Sequence, residues 1–133
     1  MNKMTDLKKH MGEHMDKRKP TIIDIDVADT QATLRLNVDA DILDFKGHFA
    51  HFPLLPGVSQ IDWALFYAIK YLGTPAIFKG MEVIKFQEPI FPDALVTLDL
   101  SWDNDKQKLT FKYRSKQGDE WVSHSSGKMK LGN

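Results

Sequence analysis

Apolar and polar residues alternate with a period of two in the segment that follows Pro20. Ile23, Ile25 and Val27 alternate with aspartates, and the alternation resumes over residues 32–38 after a turn-like segment at 28–30. This pattern is typical of antiparallel strands that bury one face. It predicts a β-hairpin over residues 20–38 with one dry face.

A different pattern, typical of a helix, follows a loop-rich stretch from Asp39 to Pro56. The segment from Gly57 to about Leu72 is apolar almost all the way round a helix, with Asp62 as the exception, and Gly73-Thr74-Pro75 ends it. A helix with an apolar circumference must be enclosed by other elements. The pattern therefore predicts one buried helix over residues 57–72.

The period of two returns in four further segments separated by turn-forming residues. The predicted strands span residues 80–86, 94–102, 108–115 and 120–131, and Gly127 is expected to form a bulge in the last one. An antiparallel sheet curved around the single helix would enclose it, which is the α+β hotdog architecture. The periodicity alone leaves other α+β arrangements open.

The N-terminal residues 1–19 differ from this pattern and are expected to form a tail or a short amphipathic helix before a domain over residues 20–133. Met4, Leu7, Met11 and Met15 recur at helical spacing. His10 and His14 lie four residues apart, as metal ligands on a helix often do. No third ligand is evident nearby, so we expect no metal site.

Composition narrows the class of protein. A chain of 133 residues with 42% hydrophobic content suits one packed domain. The net charge of zero gives no reason to expect a nucleic-acid or membrane partner. There is no cysteine, hence no disulfide and no thiolate nucleophile. Without an apolar signal segment or an apolar run long enough to cross a bilayer, the expectation is a cytoplasmic protein.

Three groups near the start of the helix could carry chemistry. The backbone N–H of Gly57 lies at the positive end of the helix dipole and could stabilise a carbonyl oxygen that gains negative charge. Asp62 has no basic neighbour on the helix, and burial would raise its pKa and make it a proton donor. His48 could act as a base, with His51 as a competitor.

Each of these groups also has an ordinary structural explanation. Pro56-Gly57 is common capping chemistry, a buried Asp62 could accept hydrogen bonds from loop N–H groups, and a loop histidine is usually just a polar residue. Together, however, a base, a helix-start N–H and an acid suit proton abstraction next to a carbonyl with loss of a β-substituent.

The arrangement resembles the signature of the β-hydroxyacyl-[acyl carrier protein] dehydratases, which are hotdog enzymes. Gly47-His48-Phe49, Pro53, Pro56-Gly57-Val58 and Asp62 match the spacing of the family pattern G-H-F-P-G-x-P-x-x-P-G-x-x-x-x-[ED]. The stretch "LLPGVSQIDWAL" is similar to the small dehydratases of aryl-polyene-type gene clusters. The stretch "GMEVIKFQEPIFPDALVTLDL" resembles the family strand that carries K-F-x-x-P-x-x-P-G-D.

The resemblance implies a role for each matched residue. His48 removes the C2 proton, Asp62 assists the departure of the 3-hydroxyl group, and the N–H of Gly57 polarises the thioester carbonyl. The residues expected to bind the substrate flank these groups: Phe49, Pro56, Val58 and Phe66. The chain departs from the family at Ala50-His51, where the family has Pro-Gly, and at Phe66, where many members have glutamine.

The resemblance also implies partners and a reaction. The protein would be a homodimer in which each active site takes its histidine and its acid from different subunits. It would convert a (3R)-hydroxyacyl thioester, delivered by acyl carrier protein, into a trans-2-enoyl thioester in fatty-acid or aryl-polyene-type biosynthesis, without metal or organic cofactor. Lys46, Lys79 and Lys85 are candidates for contact with the carrier protein.

Two alternatives stay open. A hotdog thioesterase uses a carboxylate to direct water at the thioester, although such enzymes do not need the Gly-His-Phe loop. A non-catalytic hotdog subunit would bind acyl chains or a partner dehydratase, and the presence of both His48 and Asp62 argues against it.

Overall fold

The computed structural model describes residues 17–46 and 53–133. The elements in these ranges are β1 (Thr21–Ala28), β2 (Gln31–Val38), α1 (Gly57–Leu72), β3 (Ile77–Phe86), β4 (Ala94–Asp103), β5 (Lys108–Gln117) and β6 (Glu120–Gly132), with a short 3-10 turn at Leu43–Phe45. All six strands pair antiparallel in one sheet with the order β1-β2-β4-β5-β6-β3. For the described residues, the predicted antiparallel sheet with a single long helix is confirmed.

The core lies between α1 and one face of the sheet. Alternate residues of β2, β4 and β5 point toward the helix, and Leu34, Leu98 and Phe111 are fully buried there. Trp63 and Tyr67 of α1 pack into the same cluster. Each large apolar side chain buried in this way contributes roughly 1.5–3 kcal/mol. No helix in the described part of the chain is both long enough and apolar enough to cross a membrane.

The predicted element boundaries agree with the structure within a few residues, except for the bulge. Gly127 pairs in register with Phe111 and Ile84, so the expected bulge at Gly127 is wrong. The glycine is needed for a different reason, because a Cβ at this position would lie 2.6 Å from Cε2 of Phe111. The shift between β5 and β6 lies instead between Tyr113 and Arg114.

Only one strand of the β1–β2 hairpin has the buried apolar face that the sequence predicted. The inward residues of β2 are buried, but Ile23, Ile25 and Val27 of β1 are exposed. The physical reason is the position of β1 at the edge of the sheet, since α1 packs over β2 and β4. Residues 1–16 lie outside the described part of the chain, so the predicted tail or helix there, and the domain boundary near residue 20, stay predictions.

Helix α1 is buried on one face rather than all round. Its buried residues recur at helical spacing: Ser59, Gln60, Trp63, Ala64, Tyr67 and Ala68. On the opposite face, Val58 is 78% exposed and Phe66 is 42% exposed. The expectation of complete enclosure is wrong for a single chain, because one sheet covers only one side of a helix.

Candidate active site

The start of α1 is formed by Pro56 and Gly57. Pro56 is the N-cap residue and makes no side-chain cap hydrogen bond, and there is no acidic residue in the first turn. The positive end of the helix dipole is therefore not neutralised by the helix itself. The ring of Phe86, at the end of β3, packs directly on Gly57, since a Cβ at Gly57 would lie 2.5 Å from Cζ of Phe86.

A buried hydrogen-bond network fixes the first turn of α1 against the sheet. The Gln60 amide nitrogen donates to the Leu55 carbonyl (3.2 Å), and Gln60 Oε1 accepts a hydrogen bond from Ser125 Oγ (2.6 Å). The Tyr113 hydroxyl donates to the Gln60 carbonyl (2.7 Å). Burial first, and then the neighbouring Tyr67 and Asp62, raise the pKa of Tyr113 well above its ordinary value. The phenol therefore stays protonated and keeps donating.

The described residues on either side of the segment 47–52 are hydrogen-bonded near this helix start. On the N-terminal flank, Asp44 accepts hydrogen bonds from Ser59 Oγ (2.5 Å) and Arg18 Nε (3.0 Å). On the C-terminal flank, the Leu55 N–H donates to the Ile90 carbonyl (2.8 Å). The predicted base His48, its competitor His51 and the predicted substrate contact Phe49 lie outside the described residues.

Asp62 does not occupy the apolar setting that the sequence predicted. Its side chain is 66% exposed, and its carboxylate lies 3.7 Å from Lys19 Nζ. The prediction that Asp62 is buried is therefore wrong for a single chain, and its basic neighbour comes from outside the helix. The helical pattern missed the contact because Lys19 precedes β1 and is distant from Asp62 in sequence.

An apolar cavity of about 250 Å³ lies next to the helix start. Its lining residues come from the segment before α1, the first turn of α1, the end of β3 and the segment after it, and β6: Leu54, Leu55, Gly57, Gln60, Phe86, Gln87, Glu88, Pro89 and His124. Of the predicted site residues, the structure places Gly57 in this lining. Asp62, Val58 and Phe66 lie on the exposed face of α1, and Pro56 is half-buried beside the cavity.

The exposed face of α1 continues into an apolar edge of the sheet. Strand β3 has no neighbour on its outer side among the described residues, and it carries five large exposed apolar side chains: Ile77, Phe78, Val83, Ile84 and Phe86. An unpaired apolar edge strand is a template for pairing with another chain. Exposed apolar patches of this kind mark interaction surfaces in soluble proteins.

Sequence reasoning missed the polar residues at the cavity. Gln60 and His124 line it, and Tyr113, Ser115 and Ser125 hydrogen-bond to these two residues. One signal could have found some of them. The stretch "SHSSG" at 123–127 places polar residues at positions of β6 where apolar residues would continue the core. Buried polar groups need partners, so these positions indicate a polar network inside the sheet.

Six antiparallel strands in this order, with one helix packed on the sheet, define a hotdog-fold protein. A match to the model of the ApeI-like family, described as ApeI dehydratase, covers residues 24–128. The chain therefore belongs to the ApeI-like dehydratase family.

Solved and curated proteins agree with this assignment. The dehydratase heterocomplex ApeI:P from Xenorhabdus doucetiae is 38% identical over 86% of this chain and 99% of that chain, with a TM-score of 0.76. An uncharacterised protein from Erwinia carotovora subsp. atroseptica is 42% identical over 86% and 94% of the two chains, with a TM-score of 0.72.

Among curated proteins, 3-hydroxyacyl-[acyl-carrier-protein] dehydratase FabZ of Erythrobacter litoralis is 32% identical. The match covers 61% of this chain and 59% of that protein. The chain thus spans little more than half the length of this curated relative.

Proposed function

We propose that this protein is a 3-hydroxyacyl-[acyl carrier protein] dehydratase, which eliminates water from a (3R)-hydroxyacyl thioester to give a trans-2-enoyl thioester. The observation that carries the proposal is Gly57, an uncapped helix start in the lining of an apolar cavity. An apolar cavity suits an acyl chain, and a helix N-terminus suits the thioester oxygen as it gains negative charge. The relationship to ApeI and FabZ dehydratases supports the same chemistry.

In the proposed reaction, three groups act on the substrate. The neutral imidazole of His48 removes a proton from C2, and the electron pair moves into the bond between C2 and C3. The bond from C3 to its hydroxyl breaks, and the carboxyl group of Asp62, once enclosed by a second subunit, supplies the proton that lets the group leave as water. The N–H of Gly57 stabilises the thioester oxygen meanwhile. Solvent then returns the imidazolium proton to the Asp62 carboxylate, which completes the cycle.

The proposal includes a homodimer with shared active sites. In one chain, Asp62 projects from the open face of α1, whereas the cavity lies at the start of that helix. A second copy that covered the β3 edge and this face would enclose both the exposed apolar side chains and Asp62. Phe66 and Val58 would then contact the substrate or the partner subunit.

The proposed reaction needs no metal and no organic cofactor, because the acid and the base are both side chains. We place the reaction in the cytoplasm, as the sequence predicted, and we place it in fatty-acid or aryl-polyene-type biosynthesis on the strength of the ApeI resemblance.

The product distinguishes the proposed reaction from its rivals. Incubated with 3-hydroxyacyl-N-acetylcysteamine thioesters, the protein should give the trans-2-enoyl thioester, detected by mass spectrometry as loss of water. Free thiol, measured with a thiol reagent, would instead indicate a thioesterase. Binding of the acyl thioester without either product would support a non-catalytic acyl-binding subunit and overturn the proposal. The (3S) substrate serves as the matched control and should remain unchanged.

We propose acyl carrier protein as the partner that delivers the substrate, and the charge distribution of the sheet supports this. The outer face formed by β5, β6 and the end of β3 carries a group of cations: Lys85, Lys108, Lys112, Arg114, Lys116, Lys128 and Lys130. Two of these cations are paired, since Lys108 lies 2.9 Å from Glu82 and Arg114 lies 2.6 Å from Asp99, whereas the other five form no ion pair with another described residue. Such a face in a chain of zero net charge suits an acidic protein.

Charge reversal tests this docking face. The double variant Lys112→Glu/Lys128→Glu should raise the KM for carrier-borne substrate by about tenfold at low ionic strength, because steering by the basic face is lost. The KM for the N-acetylcysteamine thioester should not change. Lys106→Glu, in the turn between β4 and β5, is the matched control. Equal effects of the double variant on both substrates would contradict docking at this face.

A further inference from the structure

His124 is a buried imidazole beside the cavity, in a position created by an irregularity of the sheet. It is 4% exposed. Tyr113 pairs with Ser125 and Arg114 pairs with Ser123, so that His124 has no partner on β5. Bulges of this kind redirect a side chain and are frequent next to active sites. Here the bulge brings the imidazole to the segment that follows β3.

Both ring nitrogens of His124 have a partner. Nδ1 lies 3.0 Å from the Glu88 carbonyl oxygen, and Nε2 lies 2.7 Å from Ser115 Oγ. A carbonyl oxygen only accepts, so Nδ1 carries a proton, and in the neutral ring Nε2 accepts the proton of the Ser115 hydroxyl. The ring is therefore held at both ends in one orientation.

The segment that follows β3, to which His124 is hydrogen-bonded, forms one wall of the cavity. The Gln87 N–H donates to the His124 carbonyl (2.9 Å), and the Glu88 N–H donates to the Ser123 carbonyl (3.3 Å). At one end of this wall the ring of Phe86 packs on Gly57. At the other end the Ile90 carbonyl accepts a hydrogen bond from the Leu55 N–H.

A second cavity, of about 280 Å³, lies on the other side of the same wall. Three residues line both cavities, namely Glu88, Pro89 and His124. The second cavity is otherwise lined by residues of β4, β5 and their flanking segments: Phe91, Ala94, Leu95, Ser115, Lys116 and Gln117. The imidazole and the backbone that it binds thus separate the cavity at Gly57 from a second space of similar size.

We propose that His124 determines substrate specificity by closing the acyl cavity. With Ser115 it fixes the Glu88 carbonyl, and together with Glu88 and Pro89 it forms the partition that limits how far an acyl chain can extend from Gly57. This proposal rests on the proposed function, because it takes the occupant of the cavity to be the acyl group. A compact ring with a donor on one side and an acceptor on the other suits the role, whereas an aliphatic side chain would leave the Glu88 carbonyl and the Ser115 hydroxyl unpaired.

The test compares acyl chain lengths in variants of the partition. In His124→Ala the missing ring joins the two cavities, so the ratio of kcat/KM for 3-hydroxydecanoyl- over 3-hydroxybutyryl-N-acetylcysteamine should rise about tenfold or more. Ser115→Ala keeps the ring and its bond to Glu88 but frees the other end of the ring, so its ratio should lie between those of His124→Ala and the unmodified protein. His124→Phe keeps a ring-sized wall without the hydrogen bonds, so its ratio should stay close to that of the unmodified protein while its KM values rise.

A ratio is informative because general loss of stability lowers the activity on both substrates alike. Folding of each variant is checked by its melting temperature, and His124→Ser, which removes the ring but keeps a hydroxyl donor, replaces His124→Ala if the latter does not fold. An unchanged ratio in the folded alanine or serine variant would overturn the proposal.

Binding separates this proposal from the proposed function. Calorimetry with saturated butyryl and decanoyl thioesters of N-acetylcysteamine reports chain-length preference without turnover. A shift toward the longer chain in His124→Ala, in a protein that dehydrates nothing, would support the partition and reject the dehydratase. Dehydration with no shift in chain-length preference would support the dehydratase and reject the partition. Absence of binding to any acyl thioester would overturn both proposals.

Discussion

Replacing Asp62 with asparagine is expected to lower kcat by a factor of about 10²–10⁴, because asparagine cannot supply the proton that the leaving hydroxyl needs. The fold should be little affected. Asp62 is largely exposed and its ion pair with Lys19 is long, so loss of that pair costs at most about 1 kcal/mol. His48→Ala should lower kcat by a similar factor through loss of the base. Steady-state kinetics and melting temperatures measured on the same preparations check both statements.

The chain offers a matched control for the Asp62 variant. Asp41 is also an exposed aspartate that pairs with a lysine, since its carboxylate lies 3.0 Å from Lys17 Nζ. Asp41→Asn removes a surface ion pair without changing a proposed catalytic group, and its kcat should remain close to that of the unmodified protein. Asp62→Glu keeps the acid and should retain part of the activity. If Asp62→Asn turned over substrate as fast as Asp41→Asn, Asp62 would not be the acid.

Mixing two inactive variants is expected to restore activity. A heterodimer of one His48→Ala subunit and one Asp62→Asn subunit has one site with both changes and one site with neither, because each site takes its two groups from different subunits. The purified heterodimer should therefore reach about half of the activity of the unmodified dimer. Coexpression with two different tags isolates it, and native mass spectrometry verifies its composition.

The same experiment tests two other arrangements, namely a site formed within one subunit and a site shared with a different chain. If both groups of a site came from one subunit, every site in the heterodimer would carry one change, and activity would stay at the level of the single variants. If the functional partner were a different chain, as in the ApeI:P heterocomplex, this protein alone would lack activity before any substitution. A dimer of two His48→Ala subunits that carry the same tags is the control.

The elements of the fold follow closely from local signals in the sequence. The bounds Gly57 and Leu72 were predictable because Pro56-Gly57 suits a helix start and Gly73 adopts the left-handed conformation (φ 64°) that ends a helix. The strand bounds were predictable because inward residues of β2, β4 and β5 alternate with outward polar ones. Strand β3, by contrast, begins at Ile77, three residues before the predicted start, because the exposed apolar side chains of an edge strand show no clear alternation.

The candidate site was predictable only in part. The motif spacing indicated Gly57, and the structure places this residue at an apolar cavity. The position of Asp62 was wrong because apolar neighbours along a helix do not reveal which face the sheet covers. The network of Gln60, Tyr113 and Ser125 was missed because its hydrogen bonds join residues as far as 65 positions apart. His124 was missed because the direction of its side chain is set by a bulge and not by the alternation of residues along β6.

The sequence by itself determined the order of the strands and the helix along the chain and the limits of the helix. It also determined the histidine, glycine and acid that resemble a dehydratase signature. These are local properties, because the side-chain period and the end signals of an element lie within a few residues. Only the tertiary structure decided that β3 crosses to the far edge beside β6, which face of α1 stays open, and that His124 separates two cavities. These features depend on strand pairing between distant segments, which side-chain alternation along a single strand does not specify.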